Sequence, residues 1–197
     1  MGMLGTEDHS LAQYWYSPST LKVLTELCCH RERVGLLSTP SVYFALDSET
    51  REKTVLYEFD AKWQAEGVKF RFFDYKAPIS DLGSDSKGTF DLIIADPPSI
   101  MESVVEKYMQ VVHFLLAPGG SIAFTSAMEH EYYFATRGLF ARNFVPKESA
   151  ALAQAGRFRL YTNFCQDCLE AKNDEDFPPG APDDDDYSAQ HFGWGYE

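Results

Sequence analysis

The sequence predicts one α/β domain, a mostly parallel sheet of seven strands with helices on both faces. Three observations predict it. Short apolar, β-rich runs bounded by turn-formers alternate with stretches of helical spacing. The connections between them are short, as in strand–helix–strand units. Acids also recur at the carboxyl ends of successive runs, at Glu58, Asp74 and Asp96, where open α/β sheets gather their ligands.

Taken in order, residues 1–9 read as a loose N-terminus and 10–169 as the domain. Ser17-Pro18-Ser19-Thr20 reads as a helix start, with Pro in the first turn, and helical spacing continues to about His30. Val34 to Thr39 is the first strand, broken by Pro40-Ser41, and a helix follows from Val42 to about Thr50. Thr54 to Phe59 is strongly β-biased. Asp60 to Glu66 reads as a short helix ended by Gly67. Val68 to Phe73 forms the third strand, and a polar loop, Lys76 to Thr89, leads to the fourth.

Phe90 to Ala95 is a short apolar run ending in Asp96, and Pro97-Pro98 stop it. Met101 to Leu116 carries an apolar stripe at 104, 105, 108, 111, 112 and 115, which predicts a helix. Ala117-Pro118-Gly119-Gly120 ends it. Ser121 to Thr125 is the fifth strand, Glu129 to Leu139 a helix, and Phe144-Val145-Pro146 a short strand. Arg157 to Phe164 alternates with period two, which places it antiparallel near an edge. A last helix followed by two strands that close the sheet is the pattern of a class I methyltransferase rather than of a dinucleotide dehydrogenase.

The chain has 197 residues, 45% of them hydrophobic and 15% aromatic, enough for a real core. No uncharged apolar stretch approaches a membrane span, and Met1 to Ser10 has no apolar core, so it reads as no secretory leader. A cytoplasmic location is the default expectation. The net charge of −13 disfavours a protein held to nucleic acid chiefly through phosphates. Residues 170–197 read as an acidic, disordered tail, with Asp174-Glu175-Asp176 and Asp183 to Asp186. Setting those seven acids aside still leaves −6. A basic protein is the more natural partner. Local basic clusters (Arg137, Arg142, Lys147; Arg157, Arg159) keep nucleic acid as an alternative. Cys165-x-x-Cys168 is half of a zinc spacing, and adjacent Cys28-Cys29 offer no second half, so the cysteines read as free thiols and no metal is expected.

The chemistry-bearing positions gather at the carboxyl ends of the first four strands: Ser38-Thr39-Pro40-Ser41, then Glu58, Asp74 and Asp96. An acid ending the second strand suits a ribose diol, because a carboxylate accepts from both hydroxyls. Asp74 suits an exocyclic amine. Asp96 followed by two prolines, which lack N–H groups and leave their carbonyls free, suits a grip on an amino group. Against a nucleotide site stands the missing glycine loop after the first strand: Ser38 to Val42 contains no glycine.

Tyr14-Trp15-Tyr16-Ser17, Ser38-Thr39-Pro40-Ser41-Val42-Tyr43, Tyr57-Glu58-Phe59-Asp60, Phe73-Asp74-Tyr75, Asp91 to Pro98 and Phe144-Val145-Pro146 occur in this order. In this the chain resembles, over roughly residues 9–165, the S-adenosylmethionine-dependent methyltransferases first described as N6-adenine-specific DNA methyltransferases. The turn that replaces the glycine loop is itself characteristic of them. Eukaryotic members similar to this sequence are protein-lysine methyltransferases acting on translation elongation factor 1-alpha, which the resemblance implies as partner. The resemblance implies that Tyr16, Ser17, Ser38, Thr39, Pro40 and Ser41 cradle the methionine end of S-adenosylmethionine. It gives the ribose to Glu58, with Asp60 as the alternative, and the adenine to Asp74. Asp96, which also borders the cofactor, and Pro97 would orient the target nitrogen, with Pro98 and Ser99 completing the motif.

Ser99 departs from the family pattern, which has an aromatic after the prolines. A flipped base needs that stacking face, worth about 1–3 kcal/mol, so its loss weakens an adenine substrate more than a lysine. Tyr14, Trp15 or Phe144 are candidates for the missing wall. Three readings follow: a protein-lysine methyltransferase, an N6-adenine methyltransferase on DNA or RNA, and a cofactor-binding scaffold with impaired catalysis.

Overall fold

The computed structural model describes residues 8–65, 67–77, 79–147 and 157–171. The N-terminal stretch 1–7 and the acidic tail from 172 onward lie outside the described residues. Seven strands form one sheet: β1 (Val34–Leu37), β2 (Thr54–Glu58), β3 (Phe70–Phe72), β4 (Phe90–Ala95), β5 (Leu116–Ala127), β6 (Phe140–Ala141) and β7 (Phe158–Thr162). Their order is β3-β2-β1-β4-β5-β7-β6. The first five pair in parallel, and β7 runs antiparallel to both β5 and β6.

The helices are α1 (Pro18–Cys28), α2 (Pro40–Ala45), α3 (Ser48–Glu52), α4 (Glu102–Leu115), α5 (Glu131–Ala135) and α6 (Asp167–Glu170). Each central strand is buried on both faces, and its residues divide between two cores by period two. Leu37, Ile93 and Phe124 face a core completed by Val105, Tyr108 and Val112 of α4 and by Phe134 of α5. Leu36, Ile94 and Leu160 face the other, with Leu24 and Leu27 of α1 and Val42 of α2. Fully burying each such side chain stabilises the fold by about 1.5–3 kcal/mol. The α/β architecture with a mostly parallel seven-stranded sheet is therefore as the sequence predicts.

Several boundaries differ. The helix expected over 42–50 is two, because Asp47 caps a fresh turn by accepting from the Thr50 N–H at 2.8 Å. The helix expected over 60–66 is a single 3-10 turn, Ala61–Trp63. The helix expected over 129–139 is a 3-10 turn, Met128–His130, running into α5. β5 begins at Leu116, directly after α4, so Ala117 to Gly120 belong to a strand rather than to a loop. The sixth strand is Phe140–Ala141, not 144–146. Phe144 is instead buried and donates its N–H to Leu169 O.

Reversal of strand order places a crevice between the carboxyl ends of β1 and β4. The backbone knits those ends together: Asp96 N donates to Leu37 O, Ser38 N to Tyr57 O and Phe73 N to Glu58 O.

Candidate functional site

A cavity of about 730 Å³ opens at that crevice. Its lining includes Tyr16, Ser38, Pro40, Glu58, Asp74, Asp96, Pro97, Pro98 and Ser99. Nine of the sequence-derived candidates thus line one cavity. Four do not reach it. The Ser17 hydroxyl caps α1, accepting from the Thr20 N–H, and also contacts the Ser19 and Thr20 hydroxyls. Thr39 and Ser41 are buried where α2 begins. Asp60 Oδ2 is taken by Lys62 Nζ at 2.7 Å and by Gln13 Nε2 at 3.0 Å, while Oδ1 accepts from the Lys62 N–H. Asp60 is therefore a structural acid, and Glu58 is the one that faces the cavity.

Glu58 ends β2 at 6% exposure. Its Oε1 accepts from the N–H groups of Phe59 and Asp60 at 2.9 and 3.1 Å. No hydrogen bond among the described residues reaches Oε2. Burial pushes this carboxyl above its usual range, more than the two N–H donors pull it down. Asp74 follows β3, with Oδ1 accepting from the Lys76 N–H in an Asx turn that holds the side chain in place.

The turn after β1 solves the problem of the missing glycine. Ser38 itself adopts φ 55°, the left-handed conformation that glycine usually supplies. Its Oγ lies 2.7 Å from the Tyr108 hydroxyl on α4. Burial holds that phenol far above its ordinary pKa, so it stays neutral.

Asp96 sits one residue past β4. Its Oδ2 accepts from the Tyr16 hydroxyl at 2.7 Å, and Tyr16 Oη is 3.0 Å from Thr125 Oγ1. Ser99 Oγ accepts from the Met101 N–H, turning the chain into α4. Aromatic residues lining the cavity include Tyr14, Trp15, Phe73, Tyr75 and Phe158. Phe144 lies in the core instead, its ring buried beneath the sheet.

Tyr108, Thr125 and Phe158 are lining residues that sequence reasoning missed. Thr125 could have been found, since it ends the predicted fifth strand beside Asp96. Tyr108 was hidden in a helical stripe that reads simply as core.

A model of the family described as probable N6-adenine methyltransferase matches residues 7–166. The chain belongs to this family. Among curated proteins it is similar to EEF1A lysine methyltransferase 1 of Mus musculus, 32% identical over 164 residues, covering 80% of this chain and 75% of that one. The Homo sapiens protein of the same name is 31% identical over the same shares. Protein-lysine N-methyltransferase EFM5 of Saccharomyces cerevisiae is 28% identical over 182 residues, covering 80% of this chain and 72% of that one.

As a member of this methyltransferase family the chain uses S-adenosylmethionine, and the cavity fits such a molecule. It is large enough for a ligand of that class. It offers buried Glu58, whose Oε2 is left for hydroxyl donors. Carboxylates at three strand ends complement a ligand with hydroxyls, an exocyclic amine and a positive sulfonium. Among the described residues no group of three or more His, Cys, Asp or Glu is arranged to hold a metal ion, and none of the helices is long and apolar enough to cross a membrane.

Proposed function

We propose that this methyltransferase modifies a lysine side chain of a basic protein, namely translation elongation factor 1-alpha. The observation that carries the reading is its similarity, over four-fifths of the chain, to proteins named EEF1A lysine methyltransferase 1. The charge of −13 supports it, as does Ser99, which offers no stacking face to a flipped base.

Bound S-adenosylmethionine supplies an electrophilic methyl on sulfur. The protein's part is positioning. In this reading Glu58 accepts from the ribose hydroxyls, Asp74 from the adenine amine, and Tyr16, Ser38 and Pro40 border the methionine end. Asp96 and the Pro97 carbonyl accept N–H groups of the target amine and so aim its lone pair. Alignment of that kind accounts for most of the acceleration such a site can give. A lysine must first lose a proton from a reference pKa of about 10.4. An aromatic, partly dry surround favours the neutral amine, while the Asp96 charge opposes it. Asp96 therefore acts as an orienting acceptor, and the proton leaves to water.

An N6-adenine substrate is the second reading, favoured by the description of the family model that matches. Labelled cofactor incubated with cell extract separates the two. The account expects label that disappears on protease treatment and survives nuclease; label removed by nuclease alone would contradict it.

A further inference from the structure

Tyr16 reaches the end of β4 from just before α1, 80 residues away in sequence. β4 and β5 pair in a register that sets Ala95 opposite Phe124, so Asp96 and Thr125 are the next residues on adjacent strands. Between them stands the Tyr16 hydroxyl, with Tyr16 5% and Thr125 4% exposed. The geometry gives this trio a direction. A carboxylate only accepts, so the single Tyr16 proton goes to Asp96 Oδ2. The Tyr16 oxygen is then an acceptor, and Thr125 Oγ1 donates to it.

We propose that Tyr16 and Thr125 are positioning residues that hold the Asp96 carboxylate in one rotation. This rests on the reading of Asp96 as the acceptor that orients the target amine. A hydroxyl-to-carboxylate bond is among the stronger hydrogen bonds, and the donor behind it polarises it further. Without it the carboxylate loses a directional restraint, and the amine it holds is aimed less well at the reacting methyl. The tyrosine is itself held. The next residue, Ser17, donates its N–H to Lys147 O and caps α1 with its hydroxyl. Tyr16 therefore does more than border the methionine end of the cofactor: it sets the orientation of the acid opposite.

Two readouts on the full-length chain test this. The first needs neither cofactor nor substrate. Proton NMR should show one protected, downfield hydroxyl resonance that is absent in Tyr16→Phe, displaced in Thr125→Val and restored in Thr125→Ser. The second is turnover with labelled S-adenosylmethionine and purified elongation factor 1-alpha. Thr125→Val should lower kcat about fivefold, the scale of one neutral hydrogen bond, with the cofactor KM unchanged and Thr125→Ser restoring the rate. An unmoved resonance in Thr125→Val overturns the proposal. So does equal loss in Thr125→Val and Thr125→Ser with a lowered melting temperature, which marks a packing role only. Asp96→Asn separates the acceptor role of Asp96 from the positioning role of Tyr16 and Thr125. If it turns over like the parent, the acceptor reading falls and this proposal with it. If it is inactive while Thr125→Val is fully active, only the positioning role falls.

Discussion

The Tyr16 hydroxyl donates to Asp96 Oδ2 across 2.7 Å, joining the segment before the first helix to the acid that follows the fourth strand. That bond places Asp96 as a fixed acceptor on the cavity wall rather than as a mobile surface acid.

Removing the charge of Asp96 should therefore affect chemistry more than binding. Asp96→Asn is expected to reduce methyl transfer about 100-fold, the scale of a lost near-attack geometry. Calorimetric titration with S-adenosylmethionine should show an affinity changed far less. A variant that loses cofactor binding and turnover in proportion would assign Asp96 to the cofactor instead.

Glu58 gives a pH-dependent test. Its folded pKa is raised, chiefly by burial. The stability this group contributes is then fully present below the ordinary glutamate pKa and is lost as pH rises through the folded value. Glu58→Gln cannot ionise, so at neutral pH it should melt higher than the parent, with the gain fading in acid. Under the ribose role proposed for Glu58, the same variant should bind S-adenosylmethionine about tenfold more weakly, because a charged acceptor is gone. Thermal melts across pH, paired with calorimetry, check both. A destabilised variant at neutral pH would contradict the assignment.

Ser38 inverts the usual ranking of alanine over glycine. Ser38→Ala keeps the left-handed backbone and deprives Tyr108 of its partner, at a cost of about 1–3 kcal/mol. Ser38→Gly loses the same bond but relieves about 1 kcal/mol of backbone strain. Urea denaturation should therefore rank glycine above alanine at this position.

The cysteines should separate by accessibility. Burial raises the Cys28 thiol to about 12, whereas Cys29 and Cys165 are exposed. Alkylation in mildly alkaline buffer, read by peptide mass spectrometry, should label Cys29 and Cys165 first and Cys28 only after denaturation. Early labelling of Cys28 would mean that α1 opens readily.

Much of this architecture was legible in the sequence because the central strands are short, apolar and bounded by turn-formers. Glu58, Asp74 and Asp96 were legible for the same reason: each closes such a run. The turn at Ser38 was not, since nothing local marks a serine for positive φ; contact with Tyr108 on a distant helix accompanies it. Phe144-Val145-Pro146 looks like a strand by composition, yet Pro146 lacks a ladder donor and the two-residue β6 takes the edge. Asp60 stood behind Glu58 as the alternative acid in the sequence, and only the structure shows it occupied by Lys62 and Gln13. Thr125 was legible as the end of the fifth strand, and register adds that it lies beside Asp96.

The most direct test of the central claim is intact-protein and peptide mass spectrometry of purified elongation factor 1-alpha after incubation with this enzyme and S-adenosylmethionine. The account predicts methylation on a lysine, about 100-fold slower with Asp96→Asn. Unmodified elongation factor alongside methylated adenine in an oligonucleotide control would contradict it.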